Sequence, residues 1–308
     1  MNSTTFATFW QGPIDPVTYT CLASFPYHKV ALRLYSYDPE IEVPEGIEVL
    51  DARSILPDET YMRRYLVNGR PSLARFANLF RYQMIRQTGT CWVDADVLCF
   101  KQPAFSEGGL IFGRQADGGG HAFNVAVLRL PADHPILTAL IEEASKAVDV
   151  DSTWGTLGPG LLTRLVREHA LQRFAKKRLD FYSLKPRMFW KMLLPENCRE
   201  ACETTRDSTF LHLWNQMFKW SNYDTSIAPP VGSFLHQQCE KLGTLPRFGG
   251  VYESAELREI LGDFITEVRL PSGSPCDSVE EHCSGPCDKI SSDVHPTGEI
   301  NFAVRPEL

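Results

Sequence analysis

Asp94 and Asp96 are the residues of this chain whose type and spacing speak most directly of chemistry. They lie in Cys91-Trp92-Val93-Asp94-Ala95-Asp96-Val97-Leu98, and in an extended segment residues two apart project to one side. Two carboxylates together at the end of a buried strand repel one another, and a divalent cation held by oxygen ligands relieves that repulsion. A solvated turn accommodates the same pair without an ion. Spacing alone does not choose, because Asp149-Val150-Asp151 repeats it in a polar stretch that reads as surface. Apolar residues flank Asp94 and Asp96 on both sides, which puts the pair at a sheet edge. His212, between Leu211 and Leu213, is a third candidate ligand, since imidazole suits Mn²⁺ as well as zinc. A histidine satisfied within the core fits that position equally.

These groups need a scaffold, and the composition supports one. With 308 residues and 43% hydrophobic content, the chain can bury a large core, which excludes a disordered or fibrous protein. A net charge of −7 supplies no positive field for nucleic acid. No apolar run is long enough to span a membrane, and Met1-Asn2-Ser3-Thr4-Thr5 has no basic start or apolar stretch of a signal peptide. The expectation is a cytoplasmic protein. Nine scattered cysteines read as reduced thiols rather than a disulfide framework.

The first half alternates strand and helix patterns, as a layered α/β domain does. Strands are expected at Thr5 to Trp10, Ala31 to Tyr37, Ile47 to Leu50, Cys91 to Val93, Leu110 to Gly113 and Phe123 to Leu130, with a late one at Thr209 to Trp214. Asp15 caps a helix to Ala23 with Pro16 at its first position. Strand, helix, strand at this pitch predicts a parallel βαβ start. Ser72 to Arg86 carries an apolar stripe of Leu73, Phe76, Ala77, Phe80 and Met84 and ends at Gly89. Arg81 and Asn78 share one face of that helix, beside the stripe. Further helices are expected at Pro135 to Val148, Gly160 to His169 and Ser254 to Val268, and a flexible stretch at Asp117-Gly118-Gly119-Gly120. The domain thus covers 1–270. Residues 271–308, rich in Ser, Pro, Gly and Cys, read as a tail; its Cys276, Cys283, Cys287 and His282 fit no standard zinc spacing.

Taken in order, several short segments resemble the DXD-containing sugar transferases of the GT-A fold, and glycosyltransferase family 32 in particular. The resemblance rests on Phe76-Ala77-Asn78-Leu79-Phe80-Arg81-Tyr82, then Gly89, then Trp92-Val93-Asp94-Ala95-Asp96, with thirteen residues from Arg81 to Asp94 as in the family. Thr8-Phe9-Trp10-Gln11-Gly12, Phe123-Asn124-Val125-Ala126-Val127, Thr156-Leu157-Gly158-Pro159-Gly160 and Leu211-His212-Leu213-Trp214-Asn215 follow the family's order. The resemblance spans residues 5–220. It implies a GT-A mixed sheet flanked by helices and a hexosyltransferase using Mn²⁺ or Mg²⁺, with Asp94 and Asp96 catalytic and Asp96, Asp94 and His212 at the metal. It further implies Trp10, Asn78, Arg81, Asp94, Asn124, Gly158 and Trp214 at the donor. The donor would be a UDP-hexose and the acceptor a glycan or glycolipid of capsule or lipopolysaccharide, with retention of configuration. Asn78 stands where the family has Asp, and Ala77 where it has Ser, which leaves the donor sugar open.

Other readings compete. Asp94-Ala95-Asp96-Val97-Leu98 also resembles the nucleophile loop of haloacid-dehalogenase phosphatases, although that loop belongs near an N-terminus and Gly262-Asp263 has no acidic partner nearby. A non-catalytic sugar-binding protein of the same fold, and a toxin-like transferase acting on protein, are compatible with the same segments. Arg81 suits a surface ion pair as well as a phosphate, and Trp10 suits the core as well as a base. Residues 176–191 combine Lys176, Lys177, Arg178, Lys185, Arg187 and Lys191 with Phe181, Tyr182, Phe189 and Trp190. That segment reads as a peripheral contact with the inner-membrane face, or as a solvated face whose aromatics turn inward.

Overall fold

A computed structural model describes residues 4–105, 109–116, 122–153 and 155–269. The chain divides into Met1–Leu270 and Pro271–Leu308, and the described residues all belong to the first unit. The Asp117-Gly118-Gly119-Gly120 stretch and the tail from 271, with its cysteines and His282, lie outside the described residues.

The chain opens with β1 (Phe6–Phe9), α1 (Pro16–Tyr27), β2 (Leu32–Ser36) and β3 (Glu48–Asp51), and these three strands run parallel. Asp15 Oδ1 accepts from the Val17 and Thr18 amides at 3.1 Å, satisfying donors that the first helical turn leaves free. Pro16 needs no such partner. Next come α2 (Leu73–Thr88), β4 (Cys91–Val93), β5 (Val97–Cys99), β6 (Ile111–Arg114) and β7 (Phe123–Arg129). Gly89 ends α2 in the left-handed region, φ 67°, with its N–H on Ile85 O.

The main sheet has the order β3-β2-β1-β4-β7-β6. β4 is parallel to β1, whereas β7 is antiparallel to both β4 and β6. Both faces are covered. Ala7, Phe9 and Trp92 pack with Phe76 and Phe80 of α2 and with α3 (Pro135–Lys146) and α4 (Leu161–Glu168); Phe6 and Val93 pack with Leu22 and Phe25 of α1. Burial on two sides is why these strands read as unbroken apolar runs rather than alternating ones. β1 has neighbours reached through helices on opposite faces, so the carboxyl ends of β1 and β4 form the crevice where such sheets hold ligands.

Two departures from the sequence pattern bear on the site. The late strand stops early, as β8 (Phe210–His212), paired antiparallel with β5 so that His212 faces Val97. It stops because Trp214 adopts φ 61°, ψ 55°, and a short helix, α5 (Asn215–Trp220), begins at once. The last expected helix is two, Ser254–Ile260 and Gly262–Arg269, broken at Leu261 beside a glycine that weakens any helix interior.

Candidate functional site

Asp94 and Asp96 meet because the chain turns between them, not because of a strand pleat. β4 ends at Val93, and the Val97 N–H closes the turn on Asp94 O at 3.2 Å, while Asp94 N–H is anchored on Ala126 O of β7 at 2.8 Å. The pair therefore stands at the end of a buried, central strand. Beyond the turn the chain leaves the main sheet and pairs with β8, which brings the second half of the sequence onto the carboxylates.

Arg81 reaches Asp94 from α2. Its Nη2 donates to Asp94 Oδ1 at 2.7 Å, and the same oxygen accepts from Trp92 Nε1 at 2.6 Å. The guanidinium lies over the Trp92 ring, 4.7 Å from the centroid, a placement that suits its planar, weakly hydrated cation. Arg81 is only 4% exposed, so it lies in the packed face of α2 and not beside it, and the surface ion pair is excluded.

Asp96 is held by residues 212–215. His212 Nε2 lies 3.2 Å from Asp96 Oδ1, the Asn215 N–H donates to Oδ2 at 2.9 Å, and the Leu213 N–H donates to the Asp96 carbonyl at 2.9 Å. Burial alone would raise the Asp96 pKa, but the His212 charge and the hydrogen bonds from His212 and Asn215 outweigh it and hold the carboxyl below its ordinary range. Burial would likewise lower His212, yet the Asp96 charge and hydrogen bond, with Asp94 behind them, raise it. The imidazole also packs against Trp214, ring centroids 4.1 Å apart, with Tyr182 at 6.0 Å.

One ligand atom each of Asp94, Asp96 and His212 fall within 4.8 Å of one another. Two carboxylates and an imidazole are a donor set suited to Mn²⁺ or Mg²⁺. His212 Nδ1 and Arg81 Nε and Nη1 are buried without a hydrogen-bond partner among the described residues. Unspent polar atoms around a carboxylate pair fit a site that completes its bonding with a charged ligand.

The remaining candidates distribute unevenly. Asn78 Nδ2 returns to Ala74 O at 3.0 Å, and its Oδ1 abuts Gly158, where an added Cβ would lie 2.9 Å away. These two form one wall. Trp214 joins the cluster through His212, its Nε1 donating to Leu184 O at 3.1 Å. Trp10 and Asn124 are engaged elsewhere: Trp10 Nε1 donates to Pro13 O at 3.2 Å, and Asn124 Nδ2 donates to Gln115 Oε1 at 2.5 Å. In the basic segment Phe181, Tyr182, Phe189 and Trp190 are buried, Lys191 pairs with Glu200, and Lys177, Lys185 and Arg187 are exposed. Sequence reasoning gave Trp92 and Asn215 no role at the site, although both bond directly to the carboxylates; the aromatic two residues before Asp94 was the available signal.

Residues 130–243 match the alpha 1,4-glycosyltransferase conserved region. That match covers Gly158, His212 and Trp214 but begins after the two aspartates. No curated protein matches the chain. Among solved structures it is similar to the PaToxG glycosyltransferase, at 14% identity and TM-score 0.41 over 85% of this chain and 84% of that one. It is also similar to the glycosyltransferase GlyE of Streptococcus pneumoniae TIGR4, at 14% identity in the apo form and 15% in a second structure, both at TM-score 0.39. Those alignments cover 87% and 89% of this chain but only 64% and 66% of GlyE. The family match, with the mixed sheet and its carboxylate turn, supports a glycosyltransferase of GT-A type resembling family 32.

Proposed function

We propose that the chain is a metal-dependent glycosyltransferase that moves a hexose from a UDP-sugar to a glycan or glycolipid acceptor with retention of configuration. The observation that carries this reading is the convergence of Asp94, Asp96 and His212 within 4.8 Å at the carboxyl end of β4, with Arg81 beside them. Mn²⁺ or Mg²⁺, when bound there, would neutralise the diphosphate and stabilise the departing nucleotide. Asp96 and His212 are the principal ligands, and Asp94 is shared between the cation and donor hydroxyls. Arg81 fixes Asp94 and adds the positive charge that an anionic donor requires on an otherwise acidic protein. Asn78 offers an amide to a sugar hydroxyl, and Trp10 lies on the loop after β1 where a base can stack.

The phosphatase alternative needs Asp94 as a nucleophile. Its Oδ1 already takes hydrogen bonds from Arg81 and Trp92, which lowers the nucleophilicity of the carboxylate, and no observation favours that reading. We further propose a cytoplasmic enzyme that touches an anionic membrane face through exposed Lys177 and Lys185, with Leu179, 52% exposed, between them. No helix among the described residues is long and apolar enough to cross a membrane.

A panel of UDP-hexoses with MnCl₂, read by donor hydrolysis and by heat stabilisation, tests the assignment. One donor should stand out, and Asp96→Asn should lose metal-dependent turnover by more than about 100-fold while remaining folded at the assay temperature. Full activity of Asp96→Asn, or no response to any UDP-hexose, would end it.

A further inference from the structure

Asp96 is fixed by a segment that should not reach it. In an extended chain the amide of residue 215 would lie about 6.6 Å beyond that of residue 213. Here both N–H groups bond to Asp96, Leu213 to its carbonyl and Asn215 to Oδ2, each at 2.9 Å. The left-handed turn at Trp214, φ 61°, curls the chain back. That conformation is disfavoured for a non-glycine residue, and the ring's packing on His212 and its bond to Leu184 O offset the cost.

The Asn215 side chain continues the connection. Its Nδ2 donates to Thr18 Oγ1 at 3.1 Å, and the Thr18 hydroxyl donates to Asp15 Oδ2 at 2.7 Å. Because Thr18 spends its proton on Asp15, its oxygen must accept from Asn215, which fixes the amide orientation. Asp15 closes the loop that runs from Trp10 at the end of β1 to the start of α1. A chain of three hydrogen bonds therefore joins Asp96 to that loop, in which Asn215 links Asp96 to Thr18 and Thr18 reaches Asp15. Asn215 Oδ1 is buried with no partner among the described residues, which leaves the amide one acceptor for a bound molecule.

We infer that Asn215 is a positioning residue that couples the loop Trp10–Asp15 to the cation site at Asp96, so that nucleotide on the loop and metal on the carboxylate strengthen each other's binding. The inference rests on the proposed function, because it needs a nucleotide and a cation to couple. Coupling of this kind is reciprocal: the factor by which Mn²⁺ tightens UDP equals the factor by which UDP tightens Mn²⁺.

Calorimetric titration of UDP with and without MnCl₂, and of MnCl₂ with and without UDP, measures that factor in the full chain. Asn215→Ala keeps the backbone bond to Asp96 but loses the link to Thr18, and should cut the coupling factor about fivefold or more. Thr18→Val breaks the same link from the other side and should do likewise, while Thr18→Ser, which keeps the hydroxyl, should restore coupling. The double variant Asn215→Ala with Thr18→Val should be no worse than either single change, because both remove one connection. Melting temperatures separate misfolding from decoupling, and Thr18→Val against Thr18→Ser decides the matter if Asn215→Ala does not fold. Unchanged coupling in both Asn215→Ala and Thr18→Val overturns the inference and leaves the proposed function standing. Absence of any UDP and Mn²⁺ coupling in the unaltered protein overturns both.

Discussion

Arg81 and Asp94 are thirteen residues apart in the chain and joined by a 2.7 Å ion pair whose side chains are 5% and 23% exposed. The sixteen residues of α2, its glycine stop and the return strand β4 bring the guanidinium back to the carboxylate. The thirteen-residue spacing is thus what closes this ion pair.

Arg81→Met should therefore cost stability as well as function. It strands Asp94 with one donor, Trp92, in a site open on one side; a loss of about 1–3 kcal/mol is expected, below that of a fully enclosed pair. Urea unfolding should show a lower midpoint at unchanged slope. Arg81→Lys should rescue little, since an ammonium does not reproduce the planar stacking on Trp92. Wild-type stability in either variant contradicts this account.

Gly158→Ala should be destabilising through contact. The new methyl would lie 2.9 Å from Asn78 Oδ1 and 3.4 Å from Val125 Cγ2, and such overpacking costs about 1–3 kcal/mol. Asn78→Ala in the same molecule removes the nearer clash, so the double variant should be more stable than the sum of the single losses predicts. Strict additivity in thermal melts would show that the two residues do not form one wall.

The pair of His212 and Asp96 sets a pH dependence in the metal-free protein. His212 binds its proton more tightly folded than unfolded, so the protonated ring stabilises the fold below its ordinary value of 6.5, and that contribution is lost as pH rises through the higher folded value. Chemical unfolding with a chelator present should show a larger stability gap between the unaltered protein and His212→Asn at about pH 5.5 than at about pH 9. A gap that widens with pH would reverse the assigned sign.

The six described cysteines are free and should differ sharply in reactivity. Burial pushes Cys91 and Cys99 up to about 12 and Cys239 up to about 11, and raises Cys21 strongly. Iodoacetamide at neutral pH, followed by peptide mapping, should modify Cys202, which is exposed, and spare those four until denaturant is added. Early labelling of Cys91 or Cys99 would mean that the sheet opens under native conditions.

Much of the site was legible because its signals are local. Arg81 lies in one helix and Asp94 and Asp96 directly follow the next strand of the main sheet, and the capping of α1 by Asp15 and of α2 by Gly89 follows from residue type. The turn between the aspartates was read as extended because two flanking apolar runs mask it. Asn215 was opaque for a different reason. Its bonds reach Asp96 across 119 residues and Thr18 across 197, and they depend on a left-handed turn at a tryptophan, a residue type that does not announce one. The burial of Arg81 was equally hidden, since an arginine beside an apolar stripe ordinarily faces solvent.

The turn that carries the aspartates also joins two hydrogen-bonded sheets, one complete by residue 129 and the other only when residues 210–212 arrive. During synthesis the two acidic groups emerge long before the imidazole and the amides that balance them. Contacts this distant in sequence form late and slowly. On the proposed function, cation binding at the carboxylates would then report that the second half of the chain has folded onto the first.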